Sequence, residues 1–443
     1  LAKTLATPVS ENENLIFSHY EDENGYPVTA VEKDVTLYAC YAKPVSNFKE
    51  LSAINLALTD NYVLTNDILG DYFEYKEWTA IGYGSTGGFA GTFNGDGHTI
   101  RFNARTTSVS GFGLFHKLSG TVYNLYASCS FSLNGKVSVS SLGAFCGEVA
   151  ASGRIIDCGS FFGSDIAVST NRKLGVAGAI GVNNGLIDGL MAGMRGTLSV
   201  ESDSLVMVGG AVGENRGIIK NVNLSGRSGA LNLSLAKSLD CYVGYLVGVN
   251  DGEIYNSFSE RAIWISLSQG DNIYLEKSIV AGSFAGKNTG KTENCITCAD
   301  ILEYSVENLT LGKEGLYVTE NPYGGEEMFC IYGIDKNSED MTRVLECIIY
   351  LDDNAQKKGN TEYSEYTLSE YRALYPEFAA KLLALKNSIA YGGFTGQNAG
   401  EIINSMAIPD VGTGNGDELI AACGFNEIKW NYIENLFHAS YAK

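Results

Sequence analysis

The sequence predicts an all-β chain built as a parallel β-solenoid, and three observations predict it. A motif recurs at a near-constant interval, its copies alternate apolar and polar residues with a period of two, and no strong helical pattern separates them. The clearest copy is MVGGAVGENRGIIKNV at 207–222, with the skeleton Gly213-x-Asn215-x-Gly217-x-Ile219-x-Asn221. It returns as Gly248-x-Asn250-x-Gly252-x-Ile254-x-Asn256, as Gly286-x-Asn288-x-Gly290-x-Thr292-x-Asn294 and as Gly396-x-Asn398-x-Gly400-x-Ile402-x-Asn404. Looser copies include Gly181-Asn183-Gly185-Ile187, Gly153-Ile155-Asp157 and Gly120-Val122-Asn124. The glycines at 120, 153, 185, 217, 252, 290 and 400 are separated by 33, 32, 32, 35, 38 and 110 residues.

Each copy reads as a small apolar strand, an Asn-x-Gly corner and an alternating strand, followed in most copies by a third strand such as 230–239 or 261–267. Three strands per repeat amount to one turn of the stack, which buries its apolar face only against its neighbours. The corner is assigned to Gly185, Gly217, Gly252, Gly290 and Gly400 because Gly and Asn tolerate positive φ. Asn124, Asn221, Asn256, Asn294 and Asn404 are expected to lie above one another, with Asp157 and Gly189 at equivalent places. Stacked amides there would form a hydrogen-bonded ladder. A ligand groove lined by the same asparagines is the competing view.

Four segments follow. Residues 1–43 form a separate module with an aromatic strand, a turn at Asn24-Gly25-Tyr26-Pro27 and a strand ending near Tyr38. Residues 44–300 are the solenoid, entered through a helical lead-in at 44–58 that places Phe48, Leu51, Ile54 and Leu58 on one face. Residues 301–388 are an inserted α/β subdomain of different, more charged composition. There Thr367-Leu-Ser-Glu370 reads as a capping box and Pro376 opens a second helix. Residues 389–443 resume the solenoid, with 431–442 as a further strand. Large insertions in repeat proteins emerge on one face and often carry binding, although this one could equally cap a sheet edge.

Two stretches carry a family resemblance. LIFSHYEDENGYPVTAVEKDVTLYACYA resembles the closing half of the Listeria–Bacteroides repeat, a β-grasp-like module of bacterial surface proteins, with Cys40-Tyr41 where that family ends on Lys-Trp. NYVLTNDI (61–68), EWTAIG (77–82) and FAGTFNGDGHTI (89–100), with the repeats, resemble bacterial surface proteins carrying GLUG-type repeats. That family has Asp where this chain has Asn94. The resemblance spans about 45–300 and 389–408 and implies a right-handed β-helix displayed outside the cell, often in adhesins. Related repeats accompany secreted metallopeptidases that cleave immunoglobulin A.

Composition bounds the partners. The chain has 443 residues, 52 glycines, 6 prolines and a net charge of −20. The glycine-rich, proline-poor balance suits a corner-rich β protein. The acidity argues against nucleic acid, which needs a basic surface. No apolar run is long enough to span a bilayer. The chain opens at Leu1 without a leader and reads as an excerpt from a longer protein, with neighbouring domains as partners. Ten cysteines are compatible with an oxidising compartment. Cys158 and Cys295 read as core fillers. Cys295-x-x-Cys298 lacks the second pair a zinc site would need, and Cys330 and Cys347 lie in two strand-like pieces that could be bridged.

The search for chemistry yields little. His19, His98, His116 and His438 have no partner at metal-ligand spacing, so no metal ligands are assigned. HExxH is absent, so the metallopeptidase activity of the immunoglobulin-cleaving relatives cannot reside in this stretch. No GxSxG, Walker A or dinucleotide fingerprint occurs. No cofactor is expected; calcium would suit an acidic extracellular chain, but no nonapeptide Asp repeat supports it. No catalytic residue is assigned. The enzymatic alternative, a polysaccharide-degrading β-helix, would rest on Asp157, Asp188 and Arg154. A carbohydrate-binding alternative would use strand-end aromatics, chiefly Trp264 and Tyr274, with Tyr242 and Tyr255. The sequence therefore points to a non-catalytic, extracellular adhesin or stalk segment at the cell surface, presenting the insertion to a host or matrix protein or glycan.

Overall fold

The computed structural model describes residues 7–28, 31, 35–70, 75–105, 113–136, 140–162, 166–194, 197–202, 204–224, 231–236, 241–259, 263–267, 279–297, 301–306, 317–320, 328–334, 343–380 and 389–407. The chain is predominantly β, with parallel sheets. Among the described residues there are a 28-stranded sheet, a seven-stranded sheet and a six-stranded sheet.

The copy at 206–236 shows how each repeat contributes. Val206–Gly209 pairs with Leu174–Ala177 before it and Cys241–Gly244 after it, in the six-stranded sheet. Val212–Asn215 pairs with Ile180–Asn183 and Val247–Asn250, in the seven-stranded sheet. Ile218–Leu224 and Leu231–Ala236 make the corresponding parallel pairings in the large sheet. Four strands per repeat therefore replace the expected three. The piece read as one apolar strand is divided at Gly209–Gly210, where the chain bends between two sheets.

Alternation decides which side chains fill the interior. Phe93, Val122, Ile155, Ile187, Ile219 and Ile254 occupy one register column, and all are fully buried. Val176, Val208, Val243 and Ala281 form a second buried column. At one bend, backbone hydrogen bonds run from Phe145 N to Ala179 O, from Ile180 N to Ala211 O, and from Ala211 through Leu246 and Phe284 to Phe394. The rings of Phe284 and Phe394 stack at 4.6 Å. Each fully buried aliphatic contributes about 1.5–3 kcal/mol, so cohesion is distributed along the stack.

The glycines after each Asn-x corner serve a different purpose from the one expected. None of Gly185, Gly217, Gly252, Gly290 or Gly400 is among the positive-φ residues. Instead they sit one above another, and a Cβ at Gly252 would press into the Gly217 carbonyl oxygen. Close approach, not backbone handedness, excludes larger residues there.

The lead-in helix is Phe48–Ala53, continued by a 3₁₀ turn Ile54–Leu56. Asn47 caps it by accepting from the Glu50 amide, and Leu51 and Ile54 are fully buried. At the N-terminus, Ile16–Glu21 pairs antiparallel with Tyr38–Val45, and the latter runs on into parallel pairing with Tyr62–Leu64. The strands at 16–21 and 27–28 are thus joined to the rest of the large sheet by the shared strand Tyr38–Val45.

The inserted segment is also attached through the sheet. Ile301–Val306 pairs parallel with Ile263–Leu267 and antiparallel with Tyr317–Glu320. Met328–Ile334 and Arg343–Tyr350 form an antiparallel pair beside Ser364–Thr367. The helix Leu368–Leu374 starts at the expected Thr367–Glu370 capping box, and residues 376–380 are helical after Pro376. The stack resumes past the insertion in unbroken register, with Ile279 opposite Ile389 and Asn288 opposite Asn398. The strand expected at 431–442 lies outside the described residues.

Candidate functional site

Two asparagine columns run along the stack. The first is the asparagine that ends each strand of the seven-stranded sheet. Asn183 Nδ2 donates to Asn215 Oδ1 at 2.7 Å, and Asn215 to Asn250, Asn250 to Asn288 and Asn288 to Asn398 each at 2.8 Å. Asn183, Asn215, Asn250 and Asn288 are essentially inaccessible to solvent. Their remaining protons reach backbone carbonyls in the next layer, as Asn250 does to Lys291 O at 3.3 Å. The amides of Asn215, Asn250 and Asn288 are therefore paired on both sides, which a buried polar column requires.

The continuous ladder runs through this column and not through the one expected. Asn124, Asn221, Asn256, Asn294 and Asn404 do lie at equivalent corner positions, for the residues before them, Lys220, Tyr255 and Glu293, are register partners. Their common property is backbone handedness: with Asp157 they hold φ between 47° and 55°, and Gly189 takes 77° at the same place. Asn and Asp are the non-glycine residues that visit this region most readily. Side-chain bonding in the column is intermittent. Asn294 Nδ2 donates to Asn256 Oδ1 at 3.3 Å, whereas Asn221 Nδ2 turns to Asp188 Oδ1 at 2.7 Å.

The carboxylates considered for glycan chemistry are already engaged. Asp188 accepts from Asn221 and lies 3.7 Å from Lys220 Nζ. The Asp157 carboxyl is held above its ordinary range by partial desolvation and by the Asp188 charge. Arg154 points elsewhere, donating to Asn24 O at 3.1 Å and lying over the Tyr26 ring. Glu214 is buried and accepts from Lys173 Nζ at 2.7 Å and from Arg216 Nη2 at 2.8 Å. It lines a small cleft of about 120 Å³ with Glu148 and Asn184. The inserted segment carries a larger, open depression of about 590 Å³ around Glu346 and Asn360–Tyr366.

Of the aromatics considered for ligand contact, Trp264 lies in the strand Ile263–Leu267, its side chain outside the described residues. Tyr274 lies outside them entirely. Tyr242 is covered by Lys287 Nζ at 5.2 Å, and Tyr255 donates to Glu253 at 2.8 Å. Cys158 and Cys295 are buried free thiols pushed up to about 12 by desolvation. Cys330 and Cys347 lie on paired strands as free thiols, so the bridge considered between them is not formed. Cys298 and His438 lie outside the described residues.

One cluster was not visible in the sequence. His19, Glu21 and Cys40 bring one ligand-type atom each to within 4.8 Å of one another. A register shift between Phe17 and His19 sets His19 opposite Cys40, while His19 and Glu21, two residues apart, share a face. His19 Nε2 lies 2.8 Å from Glu21 Oε1, and its Nδ1 lies 2.9 Å from Ser18 Oγ. The His19 hydrogen bond holds the Glu21 carboxyl below its usual range, and burial raises the Cys40 thiol to about 12. Asn94 donates to Ser18 O at 3.2 Å and to Ser18 Oγ at 3.1 Å, docking this strand on the large sheet. The sequence signal would have been His-x-Glu on one strand with a cysteine on its antiparallel partner. The bulge that aligns them is not readable in advance.

No protein-family model matches the chain, and no curated protein is similar to it. No helix among the described residues is long and apolar enough to cross a membrane.

Proposed function

We propose that this chain is a non-catalytic extracellular adhesin or stalk segment. In this reading it is a right-handed parallel β-helix whose layers form a stiff scaffold, and the segment at 301–388 is the surface offered to a host or matrix protein or glycan. The carrying observation is the register across the insertion. Asn288 and Asn398 continue the same hydrogen-bonded column although 110 residues separate them. A scaffold that extrudes a segment of this size without breaking its own pairing suits display. The seven-stranded sheet would alone extend roughly 30 Å along the stack at ~4.8 Å per strand. Cell-surface placement follows from the resemblance to proteins with GLUG-type repeats and to the Listeria–Bacteroides repeat, and remains part of this proposal.

The test replaces 301–388 with a short Gly-Ser linker between the strands that pair across it. The shortened chain is expected to keep its β circular dichroism and cooperative melting while losing binding to an array of matrix proteins and glycans. Undiminished binding by the shortened chain, or turnover of a polysaccharide by the full chain, would defeat the reading.

A further inference from the structure

We propose that His19, Glu21 and Cys40 form a zinc site that cross-links the paired strands Ile16–Glu21 and Tyr38–Val45. The donor set is the first argument. Imidazole nitrogen, thiolate sulfur and carboxylate oxygen together suit zinc, whereas calcium takes oxygen alone. Charge is the second. One thiolate and one carboxylate neutralise a divalent cation, so the half-buried pocket carries no net charge once filled. The cysteine proton leaves to solvent as the metal–sulfur bond forms.

Geometry is the third argument. Ligand atoms around tetrahedral zinc stand roughly 3.3–3.8 Å apart, given bonds of about 2.0–2.3 Å. The three atoms here already lie within 4.8 Å of one another, so closing on an ion needs only side-chain adjustment. His19 Nε2 donates to Glu21 Oε1 here, and moving that proton to Nδ1, where Ser18 Oγ can accept it, would free the Nε2 lone pair for the ion. Tyr123 is buried and packs its ring 4.5 Å from that of His19, which holds the imidazole in place. The ligands come from two strands, so the ion would pin Ile16–Glu21 to Tyr38–Val45 at the bulge between Phe17 and His19.

Cobalt(II), a spectroscopic substitute for zinc, tests this on the full chain. One equivalent is expected to bind with a thiolate-to-metal charge-transfer band and four-coordinate visible bands, all bleached by zinc. Cys40→Ser should abolish the charge-transfer band and weaken zinc binding by more than ~tenfold, with His19→Gln and Glu21→Gln weakening it similarly. Far-UV circular dichroism of each variant checks the fold, and His19→Gln serves if Cys40→Ser fails to fold. Absence of stoichiometric binding by the parent chain would overturn the proposal. So would an unchanged charge-transfer band in Cys40→Ser, or undiminished zinc affinity in His19→Gln.

Discussion

Asn250 and Asn256 belong to the same copy of the motif, yet different forces hold them. Asn250 is sealed from solvent, accepts from Asn215 and donates to Asn288, so its amide is the reason it is there. Asn256 is partly exposed and sits at φ 49°, so its backbone is the reason. One column needs a side chain that both donates and accepts. The other needs a residue that tolerates left-handed geometry at low cost. The difference teaches that a periodic residue identifies a stack without identifying what the residue does in it.

Substitutions separate the two columns. The largest effect is expected from Asn250→Asp, which replaces a donor with a buried anion and should cost about 4 kcal/mol at neutral pH. Burial would raise the folded-state pKa of that new carboxyl above its unfolded value. Stability should therefore recover in acid and fall as pH rises, as chemical denaturation at several pH values would read. Asn256→Asp, at a partly exposed corner position where Asp157 already serves, should show little of this. Next is Gly252→Ala, which forces a methyl against the Gly217 carbonyl and should cost about 2–3 kcal/mol by the same measurement.

Asn256→Ala should cost about 1–2 kcal/mol for left-handed backbone, and Asn256→Gly should cost much less. The reverse ranking, with Gly worse than Ala, would mean that the side chain matters more than φ. The smallest effect concerns Asp157, whose carboxyl is pushed up by desolvation and by Asp188. A raised folded-state pKa means stability is lost as pH rises through that titration. Asp157→Asn should remove this loss, gaining no more than about 0.5 kcal/mol at pH 7 because the side chain is exposed and screened.

Much of the stack was legible because period-two alternation and the spacing of the glycines are set by the same interior contacts the structure displays. The division of GGAVG into two strands was not, since Gly209–Gly210 can bend or continue with no change in pattern. The sequence points to a ladder in the corner column, from Asn124 to Asn404, because those residues recur at regular spacing between small apolar neighbours. Its substitutions carried the contrary signal. Gly189 has no amide to stack, and the set Asn, Asp and Gly marks positive φ. The buried ladder instead ends where Val149 replaces asparagine below Asn183, as a burial-driven column permits. The His19–Glu21–Cys40 cluster depends on a strand bulge and on docking against Tyr123, which sequence spacing does not encode.

Layer-to-layer register is measured most directly by cross-layer disulfide formation. Glu253 and Lys291 are register partners on adjacent parallel strands, a separation that a disulfide can span. The double variant Glu253→Cys, Lys291→Cys should oxidise to an intramolecular bridge rapidly and nearly completely, while Glu253→Cys, Glu293→Cys should not. Equal bridging in both variants, or bridging only in the second, would contradict the stacked register.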